Sequence, residues 1–285
     1  MIDETIEEIR EMRTHSSSVV AIKATRALGA LTDPDREVAT TEEYLRDLER
    51  NSKALRRANH SHASLQNAQR EVIERVEGSE PESVAEARTR TEEAIEAVIE
   101  RITTAKRNAA TRGAETLEDG MTVLTHDYSS TVLGAIEHAV GGDTAIECLV
   151  TEARPRYLGR KTARTLASIE NVDVRMCTDS AAGHYLADCD RVLIGMDCIV
   201  EDTLYNRVGT YPIAAIASDL GVPVTVIGAG TKIIKNGFVF ENEFRSPSEV
   251  MREPAEGFAI GNPAYDATPT RLLDSVVTDE RTIEY

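Results

Sequence analysis

The amino-acid sequence predicts an α/β protein in which a helical domain precedes a parallel sheet flanked by helices. Two observations support this fold class. Before Gly120 the apolar residues recur at helical spacing with hardly a strand signal, and after it short apolar runs alternate with helical segments. The chain of 285 residues is long enough to bury a substantial core. We therefore predict a helical N-terminal domain at residues 1–115 and a Rossmann-like parallel α/β domain at residues 116–285.

The helical domain carries recognisable helix starts. Residues 41–58 and 64–76 are predicted helices, and Thr41 is the predicted N-cap of the first. Ser83 opens a further, long helix, because Glu86 follows it at the spacing of a capping box.

The second domain alternates strands with helices, which is typical of a parallel sheet covered on both faces. Ligands of such sheets bind beyond the carboxyl ends of the strands, so the residues that follow each strand are the candidates for function. The predicted strands are Met121–Thr125, Ala145–Thr151, Val172–Cys177, Arg191–Ile194, Val222–Ile227 and Leu273–Thr278. The predicted helices between them include Ser129–Val140 and Gly159–Ile169.

The charge balance restricts the partners. The chain has 49 acidic and 32 basic residues, a formal net charge of −17, which argues against binding to nucleic acids or anionic membranes. Only six of the basic residues are lysines. Strong acidity with few lysines and few aromatic residues favours a halophilic, archaeal source, and the alternative is an ordinary acidic cytosolic protein. We expect a cytoplasmic protein, because the acidic N-terminus is no signal peptide and no apolar run is long enough to span a membrane.

The cysteines and histidines give no metal or cofactor signal. The four cysteines lack C-x-x-C spacing, so free, buried thiols are expected. His60 and His62 have no partner residues at metal-ligand spacing and are predicted to lie on the surface. We predict neither a metal site nor a cofactor.

Polar residues follow the first predicted strand, where a helix begins. Ser129 and Ser130 stand at that helix start, where free backbone N–H groups and hydroxyls favour an anion such as phosphate. The alternative is that Asp127 or Ser129 only caps the helix.

The second and fourth strands are followed by charged residues. A basic cluster follows the second strand and consists of Arg154, Arg156, Arg160 and Lys161. It could bind phosphate through guanidinium groups; otherwise it is a solvated loop paired with surface carboxylates. Asp197 follows the fourth strand and could act as a general base, or it could be a structural aspartate. The segment at residues 228–232 is not a nucleotide-binding P-loop, because it lacks the glycine spacing and the hydroxyl residue after Lys232.

These strand-end segments carry a resemblance to a known family. The matching segments, in chain order, are VLTHDYSS (123–130), VTEARPRYLGRKTA (150–163), DSAAGHY (179–185), VLIGMDCIVED (192–202), NRVGT (206–210) and NPAYDATP (262–269). Together they resemble the family that unites the regulatory α, β and δ subunits of eukaryotic translation initiation factor 2B with ribose-1,5-bisphosphate isomerase and methylthioribose-1-phosphate isomerase. The archaeal branch close to ribose-1,5-bisphosphate isomerase is the most similar by pattern.

The resemblance implies roles for several residues. Asp197 occupies the position of a catalytic aspartate in the isomerases. Asn206 matches an asparagine that holds the substrate, and Arg207 stands where the family has lysine. The remaining matches are to phosphate- or substrate-binding positions, and they are Arg154, Gly159 and Lys232.

Two segments depart from the isomerase pattern. The isomerases carry a catalytic cysteine after Thr-His, where this chain has Asp127. They also carry a Gly-Ala phosphate loop after an arginine near the N-terminus, where this chain has Arg13 followed by Ser17 and Ser18. By this position, we expect these three residues to bind substrate or phosphate. An aspartate pair, Asp127 and Asp197, could still move protons, or it could repel an anionic substrate.

The sequence leaves two functions open. The first is a regulatory protein, like the α, β and δ subunits, that binds a phosphorylated sugar or nucleotide without efficient isomerisation. The alternative is a ribose-1,5-bisphosphate isomerase that makes ribulose 1,5-bisphosphate in nucleotide salvage, with Asp127 in place of the thiol. The resemblance also implies a homo-oligomer, either a dimer or a hexamer.

Overall fold

A computed structural model describes residues 2–11, 16–141, 144–234, 239–253 and 256–285. The chain forms two compact units, Met1–Thr104 and Ala105–Tyr285. The mixed α/β architecture predicted from the sequence is present, with a helical N-terminal region and a parallel sheet in the second unit.

The first unit is built of helices whose apolar faces pack on one another. Tyr44 and Leu48 of one helix are almost fully buried, and the Tyr44 hydroxyl lies 3.0 Å from the Thr91 hydroxyl. This burial supplies most of the stability, because isolated helices of such length are marginal in water. The helices are α1 (Ile2–Arg10), α2 (Ser17–Ala27), α3 (Thr41–Arg57), α4 (Ala63–Glu77) and α5 (Val84–Ala114), which continues into the second unit.

The helix starts confirm one predicted cap and correct another. Ser83 Oγ accepts from the Glu86 N–H at 3.2 Å, as predicted for α5. The N-cap of α3 is Thr40 and not Thr41: its hydroxyl accepts from the Glu43 N–H at 3.2 Å. Thr40 has extended dihedrals, which leave its side chain free to turn back on the first turn of the helix.

One histidine differs from its prediction. His62, expected on the surface, is 1% exposed, whereas His60 is exposed as predicted. His62 stands next to the start of α4, where the Asn59 side chain accepts from the His62 N–H at 3.1 Å.

The second unit contains a sheet with the strand order β11-β10-β7-β4-β1-β2-β3 in the described residues. Neighbouring strands are parallel except β11, which runs antiparallel to β10. The strands are β1 (Thr122–His126), β2 (Ile146–Thr151), β3 (Val172–Cys177), β4 (Arg191–Gly195), β7 (Val224–Ile227), β10 (Ser275–Val277) and β11 (Thr282–Glu284).

Helices cover both faces of this sheet. Alternate residues of one strand join different apolar clusters: Leu124 of β1 packs with Ile213 of α9, and Val123 packs with Val132 of α6. This two-sided burial explains why the strands are continuous apolar runs in the sequence. The helices of this unit are α6 (Ser130–Ala139), α7 (Leu158–Leu166), α8 (Ala182–Tyr185), α9 (Thr210–Leu220) and α10 (Pro247–Val250).

A second, smaller sheet was not predicted. Its strand order is β8-β5-β6-β9, and it is mixed, because β5 is parallel to β8 whereas β6 is antiparallel to both β5 and β9. This sheet places the residues that follow β4 beside the main sheet. Its strands are β5 (Cys198–Val200), β6 (Thr203–Arg207), β8 (Ile233–Ile234) and β9 (Tyr265–Pro269).

The cysteines are free thiols; three are buried, and Cys177 is partly exposed. No helix in the described ranges is both long enough and apolar enough to cross a membrane.

Candidate functional site

A cleft opens in the second unit, next to the carboxyl ends of β1 and β2. Five segments supply its walls: the residues after β1, the residues after β2, the end of β6, the segment around Arg245, and the segment that leads into β9. Arginines and small residues dominate the lining. The lining residues are Asp127, Ala153, Arg154, Pro155, Arg156, Leu158, Arg207, Val208, Arg245, Asn262, Pro263 and Ala264.

Asp127 lies in this cleft in a left-handed backbone conformation, with φ of 59°. Its Oδ1 accepts from the Tyr128 N–H at 2.6 Å, and its carbonyl oxygen accepts from the Thr162 hydroxyl at 2.6 Å. Aspartate tolerates this conformation because its short side chain bonds to the neighbouring backbone. The contacts orient the side chain at the end of β1.

Asp197 lies behind the cleft wall rather than in it. It is 6% exposed, and its Oδ2 is 3.4 Å from Nε of Arg207. The Asp197 N–H donates to the Tyr205 carbonyl at 3.2 Å, which ties the end of β4 to the small sheet. A buried carboxylate is stable as an ion only with a partner of opposite charge, and Arg207 provides one.

Arg207 connects the two aspartates. Burial favours its neutral form, but the neighbouring Tyr265, Asp197 and Asp127 outweigh burial and raise the pKa of the Arg207 guanidinium. The guanidinium carbon lies 4.9 Å from the centre of the Tyr265 ring. Arg207 therefore remains positively charged, paired with Asp197 and within electrostatic range of Asp127.

Lys232 and Cys198 are buried close to Asp197. The Lys232 ammonium donates to the Met196 carbonyl at 2.8 Å; burial lowers its pKa, and Asp197 opposes that effect. Burial, and then the charge of Asp197, raise the pKa of the Cys198 thiol to about 12. Cys198 therefore stays protonated at neutral pH and is no substitute for a reactive thiolate.

Asn206 is buried, and the structure gives its amide a local partner. Its Nδ2 donates to the Thr210 hydroxyl at 3.0 Å, and this hydroxyl donates to the Arg207 carbonyl at 2.6 Å. Asn206 thus supports the backbone of Arg207 through Thr210, and it does not line the cleft.

The loop after β2 is held by backbone contacts. A Cβ atom on Gly159 would lie 1.8 Å from the Thr151 carbonyl oxygen, so this position accepts only glycine. The Asp179 carboxylate accepts from the N–H groups of Ala153 and Arg154, both at 2.7 Å. These contacts bring Arg154 to the cleft.

Two members of the basic cluster point elsewhere. Arg160 pairs with Glu152 at 2.9 Å and lies over the Tyr157 ring at 3.8 Å, and the Lys161 ammonium lies 4.0 Å from the centre of the Tyr128 ring. The solvated-loop interpretation therefore describes these two residues, whereas Arg154 and Arg156 line the cleft.

The serines at the start of α6 form a helix terminus. Ser129 is the N-cap, and its hydroxyl accepts from the Val132 N–H at 3.3 Å, as in the alternative interpretation. Ser130 is the first residue of α6. Neither residue lines the cleft.

The predicted N-terminal phosphate residues fall in the first unit. Arg13 lies outside the described residues. Ser17 and Ser18 begin α2 and are buried, at 4% and 5% exposure.

His126 joins three strand ends near the cleft. Its Nε2 lies 2.8 Å from the Val208 carbonyl and its Nδ1 lies 2.6 Å from the Thr151 hydroxyl. A carbonyl only accepts, so Nε2 carries the proton. Gly209, with φ of 109°, approaches the ring so closely that a Cβ would lie 2.5 Å from Nε2.

Arg245 and Asn262 are cleft residues that the sequence did not reveal as functional. Arg245 lies in an acidic, irregular segment without a preceding apolar strand. Asn262 was recognised only as part of a matching segment. No group of three or more His, Cys, Asp or Glu side chains in the described part of the chain is arranged to hold a metal ion.

Comparison with known proteins identifies the family. The model of the initiation factor 2 subunit family matches residues 13–284. The chain belongs to this family. The match covers nearly the whole chain, so family membership extends to both units.

The chain is similar to sugar-phosphate isomerases and to initiation-factor proteins. The ribose 1,5-bisphosphate isomerase of Haloterrigena turkmenica is 34% identical over 96% of this chain and 88% of its own length. The protein of the same name from Haloferax volcanii is 31% identical over 96% of this chain and 86% of its own length. A solved structure of the translation initiation factor eIF-2B of Pyrococcus horikoshii has a TM-score of 0.83 at 23% identity, covering 99% of this chain and 96% of that one. At 23% identity, this likeness shows that the two chains share a fold, and it shows the fold alone.

Proposed function

We propose that this chain is an aldose–ketose isomerase that converts ribose 1,5-bisphosphate to ribulose 1,5-bisphosphate. The two named relatives support this reaction, because both align with 96% of the chain. The observation that carries the proposal is the charge arrangement at the cleft. Arg207 interacts with both Asp127 and Asp197, and further arginines line the same cleft.

The reaction needs groups that move protons near two adjacent carbons. The ring oxygen gains a proton as the sugar ring opens, the hydroxyl on C2 loses one, and the hydrogen on C2 moves to C1. The product has the same atoms as the substrate. Positioned acids and bases lower the barrier of such steps. We assign this work to Asp127, which lines the cleft, and we assign to the buried Asp197 the role of holding the charged Arg207 at the cleft.

The positive charges of the arginines offset the repulsion between the two carboxylates and the phosphates of the substrate. Two carboxylates beside a bisphosphate would repel each other and the substrate. Arg207 lies 3.4 Å from Asp197 and keeps its positive charge. The other cleft arginines, Arg154, Arg156 and Arg245, offer planar donors that match phosphate oxygens.

The test is to incubate the purified chain with ribose 1,5-bisphosphate in molar salt and to measure the formation of ribulose 1,5-bisphosphate. We expect turnover that falls by about 10²-fold or more in Asp197→Asn, which keeps the shape and removes the charge. Asp219→Asn, at an exposed position of α9, is the control and should retain full activity. Equal activity in both variants would contradict the role of Asp197.

A second function, binding without efficient turnover, is favoured by Asp127. The isomerases that this chain resembles carry cysteine there, and the nearby Cys198 is a buried, protonated thiol. In this case ribose 1,5-bisphosphate or a nucleotide would raise the melting temperature by mass action without being converted. The homo-oligomer and the cytoplasmic location remain predictions, and light scattering of the purified chain tests the first.

A further inference from the structure

The carboxylate of Glu249 lies among the nitrogen donors of the cleft. Its Oε1 is 3.6 Å from Nη1 of Arg245 and 3.8 Å from Nε of Arg156, and its Oε2 is 3.2 Å from Nδ2 of Asn262. Each of these three donors belongs to a residue that lines the cleft. They therefore converge on a single anionic group.

The donors form a built site with a strong demand for negative charge. The Arg245 side chain is 9% exposed and Asn262 is 3% exposed. Burial, and then the positive charges of Arg156 and Arg207, lower the pKa of Arg245. Clustered, buried cations are costly unless an anion lies between them. Glu249 brings a carboxylate within 4 Å of both Arg156 and Arg245.

The contacts of Glu249 are loose. Charge-assisted bonds between guanidinium and oxygen are typically about 2.7–2.9 Å long, and both arginine distances exceed this range. The Glu249 side chain is also 30% exposed, on α10, which has only four residues. A phosphate has three acceptor oxygens, so it can make more and shorter bonds to the same donors.

We propose that Arg156, Arg245 and Asn262 form an anion subsite for a phosphate group of the sugar phosphate, and that Glu249 occupies it as an internal counter-ion until the ligand displaces it. The choice of ligand rests on the proposed function; the subsite itself does not. Arg207 is an electrostatic neighbour of Arg245, so the subsite adjoins the aspartate pair.

The test compares Glu249→Gln with Glu253→Gln by calorimetric titration with inorganic phosphate and with ribose 1,5-bisphosphate. Glu253 is an exposed residue of the same segment, so both variants remove one negative charge. Glu249→Gln should bind both probes about three- to tenfold more tightly, because a competing ion pair is lost. Glu253→Gln should change the affinity by less than about twofold.

The sign of the effect separates a displaced counter-ion from a structural brace. If Glu249 only holds the arginines in place, Glu249→Gln weakens binding or leaves it unchanged, and the proposal is wrong. Arg245→Gln, checked for folding by its melting temperature, should weaken phosphate binding at least tenfold; wild-type affinity would also overturn the subsite. Because these titrations need no turnover, tighter binding of inorganic phosphate by Glu249→Gln would support the subsite even if isomerase activity were absent.

Discussion

Asp127 combines a backbone conformation with a charged side chain in the cleft, and a substitution can change one without the other. Its left-handed φ of 59° favours aspartate or asparagine, and its carboxylate faces the cleft beside Arg207. The first property is a backbone requirement that asparagine also satisfies. The second depends on charge. The substitution Asp127→Asn therefore removes one property and keeps the other.

We expect Asp127→Asn to fold like the wild type and to lose about 10²- to 10⁴-fold in kcat, since a general acid or base is removed while the backbone conformation is kept. The measurement is turnover of ribose 1,5-bisphosphate together with a melting curve. Glu201→Gln, at an exposed left-handed position with φ of 52°, is the matched control. A full kcat in Asp127→Asn would restrict Asp127 to its backbone role.

The sequence allowed some cleft residues to be predicted but not others. Asp127, Arg154 and Arg207 line the cleft, and each follows or ends a strand, where the topology of a parallel sheet places ligands. Arg245 reaches the cleft from an irregular segment far along the chain. No local periodicity marks such a residue, because its position depends on the tertiary packing of a loop. Lys232 and Asn206 are predicted to bind substrate or phosphate, but both lie buried and donate hydrogen bonds to Met196 and Thr210.

Ser129, the N-cap of α6, either binds a ligand or only stabilises the first turn of the helix. Its hydroxyl caps α6 at 3.3 Å from the Val132 N–H. Loss of an N-cap hydroxyl costs about 0.5–2 kcal/mol. We expect Ser129→Ala to lower the free energy of unfolding by this amount and to leave the affinity for ribose 1,5-bisphosphate unchanged.

The control for Ser129 is the cap of another helix. Thr40 caps α3 with the same geometry, so Thr40→Ala should produce a similar loss of stability in urea unfolding. An affinity that falls more than about tenfold in Ser129→Ala alone, equivalent to roughly 1.4 kcal/mol, would show that the hydroxyl contacts the ligand after all.

The two sheets differ in how well their strands can be recognised. The strands of the main sheet are buried on both faces and appear as apolar runs, which made them predictable. In β6 the buried positions alternate, with Leu204 and Asn206 inside. A polar residue at a buried position hides the alternation of period two. The small sheet was therefore missed, although it carries Arg207.

The net charge of −17 carried by the whole chain contrasts with the positive charge of the cleft. The cleft gathers positive charge from Arg154, Arg156, Arg207 and Arg245. The surplus of negative charge destabilises a compact chain by self-repulsion at low ionic strength. Salt should therefore act in opposite directions on the fold and on the ligand.

We expect the melting temperature to rise between 0.1 and 2 M KCl, because the screening length falls from about 10 Å to about 3 Å or less. Each kcal/mol of relieved repulsion raises it by roughly 2–4 °C in a chain of this size class. The affinity for ribose 1,5-bisphosphate should fall over the same range, since the same ions screen the arginines. Chloride is preferred to sulfate, because sulfate strengthens apolar burial in any protein and competes for phosphate sites. A melting temperature that stays constant or falls in KCl would contradict the prediction of a halophilic source, whatever the ligand titration shows.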